Sequence, residues 1–89
     1  MREDAHQNER LAILTAFVAV LARRDELLDL IDRSRDRDAT IKALTEAPWH
    51  LTPSQSRHVL DMRLDQMTIL ARKNLEVELG ELRRHLGLE

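Results

Sequence analysis

Residues Leu11–Ala22, LAILTAFVAVLA, decide the fold. Apolar side chains recur there three and four positions apart, the period of a helix with a buried face. Followed outward, one row runs Leu11, Leu14, Val18, Leu21 and Leu28, interrupted at Asp25. A second row, Ile13, Phe17, Val20, Leu27 and Ile31, lies beside it. Two adjacent rows are wider than a two-stranded seam needs, so the pattern predicts a helix that touches more than one neighbour. Unbroken from residue 3 to residue 34, that helix would be about 45 Å long. Such a length implies an arm.

The same stretch could pass for the core of a secretory signal. Its leading flank carries Glu3, Asp4 and Glu9 against Arg2 and Arg10, where a signal needs net positive charge. Twelve residues are also too few to cross a bilayer. A buried helix of a cytoplasmic protein is the expectation, with no membrane partner.

Eighty-nine residues make one domain, and a chain this short leaves much of its apolar surface uncovered. No cysteine is present to add a disulfide or a thiolate metal site. Oligomerisation is the remaining supplement. Two glycines and two prolines in a chain rich in Leu, Ala, Glu and Arg favour helices throughout. A net charge of −2 gives no general attraction to nucleic acid.

Beyond Ser34 the chain turns polar. Ser34, Asp36 and Asp38 can cap a short helix over about Arg37–Glu46, with Ile41 and Leu44 on its buried side. Ala47-Pro48 ends it, because the residue before proline is driven from the α region. Thr52-Pro53-Ser54-Gln55 then reads as a helix start, with Thr as N-cap, Pro at the first position and Gln closing a capping box. The helix it opens is expected to carry Val59, Leu60, Leu64 and Met67 on one side. A last helix follows Thr68, with Leu75, Leu79, Leu82 and Leu86 at coiled-coil spacing and Gly87 at the C′ position. Gly80 lies outside that seam. The fold class is therefore all-α: a long antiparallel helical hairpin with two short helices bundled at its tip.

Candidate chemistry is thin. His6, His50, His58 and His85 lack the pairing of a two-His metal site, and Glu81 with His85 is too few ligands, so no metal and no cofactor are expected. Asp61 and Asp65 share a face, but Arg57 one turn before Asp61 explains that spacing as an ion pair. Arg33, Arg35 and Arg37 are nearly cancelled by Asp32, Asp36 and Asp38, so direct DNA binding is not expected. A helix-turn-helix regulator is the alternative, its reading helix opening Pro53-Ser54-Gln55-Ser56-Arg57, but the link before it is long and lacks a basic flank. A scaffold dimer of unrelated purpose is a further alternative.

Leu51-Thr52-Pro53-Ser54-Gln55-Ser56, Val59-Leu60-Asp61-Met62-Arg63-Leu64, Met67-Thr68 and Arg72-Lys73-Asn74-Leu75-Glu76 resemble a run in the A subunits of DNA gyrase and topoisomerase IV. Asp25–Ser34 is similar to the same family, and the resemblance covers about Glu9–Leu86. It implies a single domain over residues 1–89, with an arm helix 3–34, a tip 35–67 and a return helix 69–86. It also implies a coiled-coil arm whose tip pairs two A subunits at the DNA exit gate. The expected interface residues are Ile41, Leu44, Trp49, Leu51, Val59, Leu60, Leu64 and Met67, with Leu60 and Leu64 buried at or beneath the contact. The expected partner is a second copy of the chain, and after it the gyrase A protein.

Three positions depart from the family. Trp49-His50 stands where Phe-Gly is usual, and Ile69 replaces a glycine. The family cleaves DNA with a tyrosine, and this chain has none. The resemblance thus implies a non-catalytic dimerisation module connected with DNA topology or gyrase regulation.

Overall fold

The computed structural model describes the backbone of residues 2–88 and the burial of residues 6–88. The order is α1 (Arg2–Ala22), α2 (Arg24–Arg33), α3 (Arg37–Leu44), α4 (Pro53–Leu60), a single 3₁₀ turn (Leu64–Met67) and α5 (Ile69–His85). No strand occurs among the described residues.

The unbroken helix expected over 3–34 is two helices. Arg23 leaves helical geometry, at φ −123° and ψ 42°, and its N–H donates to the Val20 carbonyl at 3.1 Å, three residues back. Charge explains the position. Arg23-Arg24-Asp25-Glu26 interrupts the apolar rows, and Asp25 and Glu26 fall in the first turn of α2, where a helix N-terminus favours carboxylates. The longest dimension of the molecule is 39 Å, shorter than the expected arm helix alone. The first limb of the expected hairpin is therefore α1 alone, and an arm of the expected length is not seen among the described residues. Because α2 leaves the axis of α1, the two rows do not continue across the break, and Leu28 and Ile31 emerge exposed.

α1 is the centre of the fold, packed against both α5 and α4. The two apolar rows are wide for that reason. α5 returns antiparallel: Arg10 pairs with Glu78 near one end, while Ala22 and Arg72 line the same cleft near the other. The main core joins Ala16, Phe17, Val20 and Leu21 of α1 to Leu27, Leu44 and Val59. Leu14 and Leu79 are buried as well.

Where α4 meets α1, one contact is polar. The Gln55 amide donates to the Ala12 carbonyl at 2.7 Å, and its oxygen accepts from the Thr52 N–H at 2.8 Å. Ser56, fully buried, returns its hydroxyl to the Thr52 carbonyl at 2.9 Å. Every polar atom named is satisfied.

The local punctuation follows the sequence. Asp36 accepts from the Ala39 N–H at 2.8 Å to start α3, the Thr52–Gln55 capping box starts α4, and Thr68 accepts from the Ala71 N–H at 3.2 Å to start α5. α5 ends in a Schellman turn: Leu88 N–H donates to Arg83 O at 2.8 Å and Gly87 N–H to Arg84 O at 3.1 Å, with Gly87 at φ 74°.

The α3–α4 link is a tight loop. Trp49 and His50 N–H groups both donate to the Glu46 carbonyl at 3.0 Å, and Leu51 N–H to the Leu44 carbonyl at 2.9 Å. The Ala47–Pro48 peptide is cis. His50 closes the loop at φ 52°, left-handed backbone that glycine adopts freely and an L side chain resists. It stands in the slot where the gyrase A family usually carries glycine.

Two outcomes test this packing. Leu44→Ala removes a side chain with no exposed surface and should cost about 2–5 kcal/mol of stability by urea unfolding. His50→Gly should raise stability by roughly 1 kcal/mol at fixed protein concentration, since it relieves a left-handed residue. An unchanged or lower melting temperature would show that the loop holds no such strain.

Candidate interaction surface

The expected interface residues separate into three groups. Leu44 and Val59 are buried in the chain's own core and cannot meet a partner without unfolding it. Ile41, Trp49, Leu51, Leu60 and Met67 are half-buried. All but Ile41 of these pack against the core cluster. Leu64 alone is open, 81% exposed.

The spacing puts Leu64 on the same helix as Val59 and Leu60, buried with Leu60. The structure separates them: α4 ends at Leu60 with Asp61 as its C-cap, and Leu64 begins the 3₁₀ turn. The chain direction changes between them, so a four-residue spacing no longer means a shared face. Its neighbours along the chain are also open: Ile69 is 67% exposed and Leu70 69%. Thr68 joins the two pieces, donating its hydroxyl to the Asp65 carbonyl and capping α5. The corner between the 3₁₀ turn and α5 thus presents three large apolar side chains to solvent. Val77, two turns further along α5, is exposed as well.

Charged groups frame this corner. Arg63 Nε lies 3.2 Å from the Asp65 carboxylate, on either side of Leu64. Asp61 is held by Arg37 at 3.0 Å, a tie from α3 to the end of α4 and not the Arg57 pair that the spacing suggested. Arg33 binds Asp29 at 2.9 Å, and Arg35 lies 3.6 Å from Asp36. The short basic run is therefore neutralised arginine by arginine.

The would-be DNA-reading helix is occupied from within. Gln55 is committed to Thr52 and Ala12, and Ser56 is buried with its hydroxyl on the Thr52 carbonyl. Two of the polar side chains that would have reached base edges are thereby withdrawn, while Ser54 and Arg57 of the same helix stay exposed.

Trp49 packs its ring against the core, with the Arg23 guanidinium 5.3 Å from its centroid, a cation–π contact. Glu26 accepts two hydrogen bonds from the same guanidinium and raises the Arg23 pKa above its ordinary value. A cleft of about 360 Å³ opens beside this pair, between α2 and the α3–α4 loop. Among the described residues, no three His, Asp or Glu side chains come together in the manner of a metal site. No helix of the described residues is long and apolar enough to cross a membrane.

No family model matches the chain. Individual proteins do. Over 78 residues, 88% of its length, it is 38% identical to the DNA gyrase A protein of Lawsonia intracellularis. It is 34% identical over 78 residues to the DNA gyrase A protein of Campylobacter jejuni, and 35% identical over 79 residues to the A protein of DNA topoisomerase 4 from Neisseria gonorrhoeae. The chain is a relative of one segment of these A proteins. It spans about 9% of the length of the two gyrase proteins and 10% of the topoisomerase protein.

Against this gyrase A relationship, the three departures acquire different weights. Trp49 is half-buried under Arg23 and His50 closes the α3–α4 loop, so both act within the chain. Ile69, the first residue of α5, takes the glycine slot and points an apolar side chain into solvent. Of the three it alone changes the open corner.

Proposed function

We propose that this chain is a non-catalytic homodimerisation module, and that its corner of Leu64, Ile69 and Leu70 pairs with the same corner of a second copy. The carrying observation is the exposure of those three side chains in consecutive elements. Single exposed apolar residues are ordinary, whereas three within seven positions at one corner of so small a protein support a contact surface there. A contact of one patch with itself is isologous and closes as a two-fold dimer.

Topology supports the location. α1 and α5 run antiparallel, so the beginning of α1 and the end of α5 lie together at one end of the molecule. The 3₁₀ turn and the α1–α2 break lie at the other. A hairpin of this form presents its turn end to a partner while both strands of chain leave from the opposite end. Relationship to the gyrase and topoisomerase A proteins favours the same reading, because the family's arm tip is where two of them meet. The absence of tyrosine removes the nucleophile that the family uses on DNA.

The gyrase A protein is the second partner to test. Ile69 sits on the proposed surface where that family carries glycine, and selectivity between self and relative is a difference of two affinities. Its bulk favours pairing with another copy that has been shaped to it.

Light scattering at micromolar concentration should give twice the 10.4 kDa chain mass. Leu64→Lys should give a monomer with unchanged helical circular dichroism, since the side chain is not part of the core. A wild-type monomer that stays folded would end the proposal. Refolding the chain together with gyrase A from the same source, followed by co-purification, tests the mixed pair separately.

A further inference from the structure

The open corner carries its own rule for alignment. Leu64 is flanked by Arg63 and Asp65, whose side chains are 77% and 71% exposed and 3.2 Å apart. The backbone beneath them is fixed. Arg63 N–H donates to the Gln66 side-chain oxygen at 2.9 Å, and Gln66 N–H returns to the Arg63 carbonyl at 3.0 Å, so the turn that bears both charges is closed on itself. An exposed ion pair of this kind contributes little to the chain that holds it. Two-fold symmetry gives it another use. When a patch meets its own copy with Leu64 near the axis and the axis perpendicular to the local chain, the groups on either side of Leu64 cross over.

We infer that Arg63 and Asp65 exchange partners on assembly, Arg63 of each copy facing Asp65 of the other, and that this crossed pair fixes the register of the homodimer. The inference rests on the homodimer reading above. Asp61 does not compete for Arg63, because Arg37 from α3 already holds it at 3.0 Å. Charge alternation of this kind suits a second copy better than an unrelated partner, since the patch is complementary to itself. It specifies geometry more than strength, because like charges brought face to face are costly while well-matched ones add little.

The test is a pair of charge reversals on the full chain. Arg63→Glu leaves the corner acidic and Asp65→Arg leaves it basic, so each alone should weaken self-association by about tenfold or more. Mixed in equal amounts they should recover a dimer that native mass spectrometry identifies as one copy of each. Both substitutions are at exposed sites, and thermal melts in circular dichroism check that each variant is folded. Two folded variants that dimerise as tightly as the wild type would overturn the crossed pair while leaving the dimer standing. Failure of the mixture to associate would overturn it as well. A monomeric wild type would remove the dimer first and this inference with it.

Discussion

Helix α1 has more apolar surface than one neighbour can cover, and the rest of the chain is arranged around that excess. Leu14, Ala16, Phe17, Val20 and Leu21 are all buried, and they spread over an arc too wide for a single seam. α5 and α4 share the covering of it. Bringing both helices onto α1 requires the chain to reverse, which the 3₁₀ turn and its caps accomplish. It also requires α2 to step aside, since a straight continuation of α1 would carry Leu27 away from Leu44 and Val59. Burial of each such side chain is worth about 1.5–3 kcal/mol, enough to outweigh one broken helical turn at Arg23.

The same arrangement assigns the surfaces. Leu44 and Val59, which the spacing offered to a partner, are needed to finish the core, whereas Leu64 is released by the end of α4 at Leu60. Polar groups follow the same logic. Gln55 is spent on the α1–α4 crossing and Asp61 on Arg37, whereas Arg63 and Asp65 beside Leu64 stay exposed. The exposed corner is what remains when the core has taken what it needs.

His50 shows how a relative's sequence can disagree with the backbone it adopts. The loop requires a left-handed residue after Trp49, the family supplies glycine, and this chain supplies histidine. Two N–H groups donating to the Glu46 carbonyl over-determine the loop, so the geometry survives the substitution at a cost in stability. Ile69 is the opposite case. It replaces a glycine at the first position of a right-handed helix, where the side chain is largely exposed and no strain follows.

Sequence alone determined whatever is settled within a few residues. The helical class follows from the period of Leu11–Ala22. The starts at Asp36, Thr52 and Thr68 and the stop at Gly87 follow from side chains that bond the adjacent backbone. The breadth of the α1 stripe also announced two neighbours. Tertiary structure decided the rest. Row-counting carried straight through Arg23-Arg24-Asp25-Glu26, although that charged run and its acidic first turn were a legible start signal for α2. Spacing placed Leu64 with Leu60 and paired Arg57 with Asp61, and the helix-turn-helix alternative left Gln55 and Ser56 free to reach base edges. Each of those expectations assumed a helix that continues or a face that stays open. Which helix ends, and which face another element covers, depends on residues tens of positions away in the chain: Ala12 for Gln55 and Arg37 for Asp61.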